Sequence, residues 1–160
     1  MSISVRLARE SDAEEVCRLT AQLGYDVETS ALRARLSNIL GRPDQRLLIA
    51  EVEGRPAGWL HAASWEDIET EAFVIIAGLV VDRLHRRRGI GRVLMAHAEQ
   101  WARERGCSIV RLWSSSTRTA AHQFYERLGY ENVKTQHSFA KSVDPERHVD
   151  FSRFVPRVGD

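Results

Sequence analysis

The sequence predicts a mixed α/β fold in a single domain. Three observations carry this. Segments with two-residue apolar alternation take turns with segments of helical period. The pair Glu53-Gly54 between two strand-like runs marks an antiparallel hairpin near the start. The run Phe73 to Val81 is continuously apolar, as in a central strand covered on both faces. The chain has 160 residues, and domains most often run ~100–150 residues, so a second core is not expected. With 43% apolar and 28% charged residues, it has the make-up of a packed globule, not a disordered chain.

Each element has a local reason. Ile3 to Ala8 alternates apolar with polar and reads as a strand. Ser11 or Asp12 can cap a helix carrying Val16, Leu19, Thr20 and Leu23, with Gly24 at its stop. Thr29 can cap a second helix through Leu40, whose inner face is Leu32, Leu36, Ile39 and Leu40. Arg46 to Glu51 and Arg55 to Ala63 are the hairpin strands, and Trp65 to Thr70 is an acidic loop. A helix from Ile90 to Arg105 carries Ile90, Leu94, His97, Ala98 and Trp101 on one stripe and stops at Gly106. Ser108 to Ser114 is the next strand, and Thr117 to Leu128 a helix ending at Gly129. Tyr130 to about Ser142 holds one or two last strands. This makes residues 1–142 the domain. The tail Val143 to Asp160, with Phe151, Phe154 and Pro156, is an extension without a clear period, packed on the domain or at an interface.

Other features bound the function. The longest apolar run, Ala72 to Val81, has ten residues, against the ~18 or more of a membrane helix. The N-terminus carries Arg6, Arg9, Glu10 and Asp12 with no apolar stretch, unlike a secretory signal. Cys17 and Cys107 lack metal-ligand or CxxC spacing and read as inert thiols. A cytoplasmic protein without metal, membrane partner or structural disulfide is expected. The charge sum, 23 basic against 22 acidic, argues against a nucleic-acid partner.

That balance hides a concentration. Arg83, Arg86, Arg87, Arg88 and Arg92 lie within ten residues, leaving 18 basic against 22 acidic groups elsewhere. They belong to the stretch Leu79-Val80-Val81-Asp82-Arg83-Leu84-His85-Arg86-Arg87-Arg88-Gly89-Ile90-Gly91-Arg92, a buried strand running through a two-glycine loop into an amphipathic helix. The unpaired N–H groups and dipole of a helix N-terminus bind anionic oxygen. Glycines let a phosphate approach the backbone, and arginines add charge-assisted hydrogen bonds. A pyrophosphate is the natural ligand; the plainer alternative is an ordinary turn beside a solvated arginine run. Neither GxxxxGK[ST] nor the third glycine of the dinucleotide fingerprint is present.

Arg86-x-x-Gly89-x-Gly91 resembles the Q/R-x-x-G-x-G/A signature of the GNAT superfamily of N-acetyltransferases. Ala120-Ala121-His122-Gln123-Phe124-Tyr125-Glu126-Arg127-Leu128-Gly129-Tyr130 is similar to that family's later AxxFYExxGF motif. The resemblance covers roughly residues 3 to 140, and features of the second motif look like the aminoglycoside 6'-type branch. It implies a central mixed, mostly antiparallel sheet flanked by about four helices, acetyl-coenzyme A as cosubstrate, and, by analogy, a homodimer. It implies that the amides of Arg86, Arg87, Arg88, Gly89, Ile90, Gly91 and Arg92 hold the pyrophosphate. The thioester then lies along Leu79, Val80 and Val81, where the sheet parts from Ser108 to Ser114 and frees backbone N–H groups to stabilise an oxyanion.

Tyr125 matches the family's general acid, and a tyrosine of pKa ~10 can donate to a thiolate whose thiol titrates near ~8.5. The family's usual Asn, seven residues earlier, is Arg118 here; it either meets a phosphate or is merely exposed. Proton removal from the amine falls first to Glu71, just before the central strand. Glu66, Asp67 and Glu69 can equally attract a cation, and His61 is a lesser candidate beside a structural reading. Trp65 and Trp113 either pack in the core or line an amine pocket. His97 and Phe124 read as core and His122 as exposed. The expected function is acetyl transfer to a small cationic amine, aminoglycoside-like or a polyamine. The alternatives are a protein lysine or N-terminus as acceptor, or a non-catalytic acyl-coenzyme A-binding module.

Overall fold

A computed structural model describes residues 2–154, in two compact units divided between Trp113 and Ser114. The first unit contains β1 (Ile3–Leu7), α1 (Ala13–Ala21), α2 (Thr29–Leu40), β2 (Gln45–Val52), β3 (Arg55–Trp65), β4 (Phe73–Val81), α3 (Ile90–Glu104) and β5 (Ile109–Leu112). The second contains α4 (Thr119–Arg127) and a short 3-10 turn at Phe151–Phe154. Pro156 lies outside the described residues.

The five strands form one sheet in the order β1-β2-β3-β4-β5. Each pairing is antiparallel except β4 with β5, which is parallel because α3 carries the chain back across the sheet. The β2–β3 hairpin turns through Glu53 and Gly54 at φ 52° and 76°, the double left-handed conformation that two-residue hairpins require.

One face of the sheet gives Leu47 and Ile49 to a cluster with Val16, Leu32 and Leu36 of α1 and α2. The other carries α3, whose Ile90, Leu94, Met95, Ala98 and Trp101 are buried. Gly58 permits the close approach of α3. A Cβ there would stand 2.7 Å from the Val80 carbonyl oxygen and 3.3 Å from Ile90 Cγ2.

Several expectations need correction. His97 is exposed, and Met95 takes the buried place because the inward stripe runs 90, 94, 95, 98, 101. Phe124 is only half-buried, on a helix with no fully buried residue. Thr29 is the first helical residue of α2, with Glu28 at its cap position. Among the described residues no strand forms between Tyr130 and Ser142. A strand needs a ladder partner and a face to bury on, whereas residues 131–143 make no backbone–backbone hydrogen bond among the described residues, and Val133 and Phe139 are 78% and 92% exposed.

Asp12 does not cap α1 with its side chain. It accepts two bonds of 2.8 Å from the Arg6 guanidinium and one of 2.7 Å from the Arg9 N–H. Arg6 also bonds Glu51, tying β1 to β2. The Arg6 guanidinium holds the Asp12 carboxyl below its usual range, and the Arg9 N–H adds to this against the opposing effect of burial. A depressed carboxylate contributes stability above its unfolded pKa of ~3.9 and loses that contribution as pH falls through its lower folded value. Asp12→Asn should therefore cost about 1–3 kcal/mol at pH 6 and progressively less below pH ~4. Urea titrations from pH 6 to pH 3 check this; a cost independent of pH would refute it.

Candidate active site

The site begins with a defect in β4. In the β3–β4 pairing His61 faces Gly78 and Ala62 faces Ile76, so Ala77 is an extra residue, a β-bulge. Pairing with β5 stops at the same place, its last pair being Ile76 with Leu112. From Ala77 to Val81 no described strand covers the β5 side of β4. Alternate residues there present N–H and C=O groups to that open side. The bulge had a visible signal, Gly78 inside an apolar run. Gly78 also gives room to Trp59, since a Cβ would fall 2.7 Å from two ring carbons.

β4 then delivers the chain to the glycine loop. Asp82 is buried, 4% exposed, and its Oδ1 accepts the Leu84 N–H at 3.0 Å. A 3-10 turn, Arg83–His85, follows. Arg87 holds φ 61° and Gly89 φ 85°, two left-handed residues just before α3. Such a conformation costs a non-glycine residue about 1–2 kcal/mol. Gly89 occupies the cap position of α3 without supplying a side-chain acceptor, so the helix's first N–H groups face outward unmet by any cap. Arg83, Arg86, Arg87, Arg88 and Arg92 are all exposed, and Arg86 Nε reaches back 3.4 Å to the Val81 carbonyl. Ile90 and Gly91 are buried and root the helix start in the core. The arrangement offers backbone donors, a helix dipole and exposed positive charge to one anionic group.

In the second unit Tyr125 lies on α4, its ring edge-on to Phe124 at 5.1 Å and to Tyr130 at 6.1 Å between centroids. Burial raises the Tyr125 pKa above the usual tyrosine value, against a smaller opposing effect of the Arg118 charge. The phenol is therefore protonated throughout the neutral range, as an acid must be. Arg118 is exposed at the N-terminal end of α4.

Comparison with known proteins shows the family. Residues 13–130 match the model of the Acetyltransferase (GNAT) family, a span that holds both the glycine loop and Tyr125. The chain belongs to the GNAT family. An N-acetyltransferase of Methanocaldococcus jannaschii, MJ1207, named as uncharacterized, is 32% identical over 107 residues, 66% of this chain and 47% of its own length. This chain thus spans about half of that relative. The aminoglycoside N(6')-acetyltransferase type 1 of Acinetobacter haemolyticus is 23% identical over 146 residues, 89% of this chain and 100% of its own. Among solved structures, AAC(6')-Iy in complex with the bisubstrate analog CoA-S-monomethyl-acetylneamine superposes with a TM-score of 0.81 at 22% identity, covering 89% of this chain and 99% of that one. The five-stranded mixed sheet here is the GNAT fold.

The remaining candidates of this GNAT chain stand exposed or make bonds of their own. Glu71 is exposed before the start of β4, its Oε2 accepting from Ser108 Oγ at 3.1 Å. It precedes Leu79 by eight residues, roughly 25 Å along an extended chain. Asp67 is occupied as a turn former, its Oδ1 accepting from the Glu69 and Thr70 N–H groups and from Thr70 Oγ1. Glu66 and Glu69 are exposed beside it. His61 is bonded to Gln45 Oε1 at 2.7 Å, and burial lowers its pKa, which fits a neutral structural histidine. Trp65 and Trp113 are 55% and 61% exposed and belong to no core. His122 is half-buried and its Nε2 lies 2.9 Å from the Ser115 carbonyl oxygen. Among the described residues no group of three or more His, Cys, Asp or Glu could hold a metal ion, and no helix is long and apolar enough to cross a membrane.

Proposed function

We propose that the chain transfers an acetyl group from acetyl-coenzyme A to an amine of a small cationic molecule. The observation that carries this reading is the coincidence, on one strand, of an unpaired β4 edge from Ala77 to Val81 with the glycine loop that follows it. An anion held at Gly89 to Arg92 and a thioester laid along Leu79 to Val81 fit one extended cosubstrate. The neutral amine attacks the thioester carbon and gives its surplus proton to solvent; β4 N–H groups stabilise the negative thioester oxygen, and the C–S bond breaks to release coenzyme A as the thiol. Tyr125 is the proposed donor of the thiol proton.

The acceptor class is supported by charge. Outside the loop arginines the sequence carries an acidic excess, and Glu66, Asp67, Glu69 and Glu71 stand exposed on the β3–β4 connection. Relatives named as aminoglycoside acetyltransferases support an aminoglycoside-like amine, and a polyamine has the same chemistry. The extended chain between Glu71 and Leu79 exceeds hydrogen-bond reach, so we assign Glu71 to attracting the cation rather than to direct proton removal. Glu71→Gln should raise KM for a dicationic amine about two- to fivefold, the range of an exposed charge pair, with kcat unchanged. A fall in kcat of about 10²-fold would instead make it the base.

A library of small amines, screened with free-thiol detection beside polypeptide acceptors, tests the function. Turnover of a small amine supports it, and turnover of polypeptides alone moves the acceptor to a protein lysine or N-terminus. Coenzyme A binding without turnover of any acceptor would make the chain a binding module. Self-association is also proposed, on the apolar Val143 that stands exposed at the start of the extension.

A further inference from the structure

Asp82 is a carboxylate at the start of a loop built to attract phosphate. Its charge opposes the ligand proposed for that loop, and it has only 4% of its surface in water. What it touches explains its presence. Arg18 of α1 places Nη1 2.7 Å from Asp82 Oδ2, while the Leu84 N–H donates to Oδ1. Burial pushes the Asp82 carboxyl upward, but the Arg18 guanidinium and the Leu84 N–H outweigh it, and the group stays below its ordinary value. Arg18 is itself fixed, its Nε donating to Glu15 at 2.9 Å and its Nη2 to the Pro56 carbonyl at 3.4 Å. One turn further along α1, Gln22 Oε1 accepts the Arg83 N–H at 2.9 Å. Residues 15, 18 and 22 share one face of the helix. The C-terminal end of α1 therefore grips the first residues of the loop through the Arg18 charge and the side-chain acceptor of Gln22, its C-cap residue.

We infer that Arg18 and Gln22 are positioning residues for the phosphate loop, and that Arg18 also cancels the Asp82 charge that would otherwise repel coenzyme A's phosphates. This rests on the reading of the loop as the coenzyme A site. The pair solves two problems at once. A buried carboxylate is a rigid anchor because it accepts several directed bonds. Left uncompensated, its charge acts through protein of low effective dielectric on any anion nearby. Arg18 retains the anchor and removes the field. It does so from α1, so the loop is held by an element outside the β4–α3 connection itself.

Titration calorimetry with coenzyme A, alongside thermal melting, tests this on wild type, Arg18→Met, Arg18→Lys, Asp82→Asn, the Arg18→Met/Asp82→Asn double variant and Gln22→Ala. The unpaired Asp82 of Arg18→Met should weaken coenzyme A about tenfold, an effect that shrinks in high salt. Arg18→Lys should recover part of the affinity. Adding Asp82→Asn to Arg18→Met should recover more, because the repelling charge is gone even though the bond is not restored. A purely structural role predicts the reverse, with the double variant no better at binding than Arg18→Met. That result, or affinity within twofold of wild type for Arg18→Met, overturns the charge assignment. Gln22→Ala changes no charge and leaves Arg18 in place; a threefold loss of affinity without a lower melting temperature is expected, and unchanged affinity overturns its positioning role. Wild type that binds no coenzyme A overturns the reading of the loop itself, before any variant is compared.

Discussion

Tyr125→Phe is expected to lower kcat about 10²- to 10³-fold, the usual worth of a positioned general acid, while the affinity for coenzyme A changes less than twofold. The substitution removes one hydroxyl and leaves the ring. The edge-on contacts to Phe124 and Tyr130 that seat the side chain are ring contacts, so they survive. The pH dependence sharpens the test. Burial raises the Tyr125 pKa, so the wild type keeps its acid protonated to well above neutrality. Its rate should rise with pH as the amine loses its proton, then fall only at strongly alkaline pH, where the phenol ionises. In the variant the alkaline fall should vanish, because no group remains to ionise. Steady-state rates from pH 6 to pH 11 with a turned-over amine measure both features. A variant with wild-type kcat, or one that keeps the alkaline limb, would remove Tyr125 from the acid role.

Much of this fold was legible because its signals are local. The run Phe73 to Val81 is long, apolar and bounded, and the strand formed there has the bounds the run suggests. Glu53-Gly54 could hardly be read otherwise, since a two-residue hairpin needs left-handed residues at both positions. The glycine loop was legible as a turn for the same reason: Gly89 takes a left-handed conformation just before α3, and glycines are visible in a sequence. What stayed hidden depends on partners far away in the chain. The bulge at Ala77 arises from how β4 registers on β3 while β5 ends at Leu112, and only Gly78 hints at it. Asp82 carries no local signal of its partner, Arg18, which lies 64 positions away. Residues 130–142 had strand-like composition, but whether such a segment pairs is decided by a neighbour, not by its own residues.

Gly89 carries the other large prediction, and the argument separates two roles that a glycine can play at one position. At φ 85° it is in the left-handed region, which a β-branched residue avoids. Yet a Cβ built on it meets no protein atom within 4 Å. No packing in the protein itself therefore requires glycine here. Gly89 is the cap residue of α3, and the proposed pyrophosphate would have to come within hydrogen-bond distance of the backbone there. Asn tolerates the left-handed conformation and is a good residue at a helix cap, so Gly89→Asn should melt close to wild type. Gly89→Val bears the backbone strain and should lose about 1–2 kcal/mol of stability. Both place a side chain in the path of the proposed phosphate. Each charge-assisted bond lost is worth ~1.5–3 kcal/mol, so both variants should bind coenzyme A at least about tenfold more weakly. Inorganic pyrophosphate should compete with coenzyme A in wild type and fail to do so in either variant. If Gly89→Asn bound coenzyme A like wild type while Gly89→Val lost affinity only in step with its stability, the glycine would serve the turn alone. The phosphate would then have to be held elsewhere, by the arginine side chains rather than by the backbone at the start of α3.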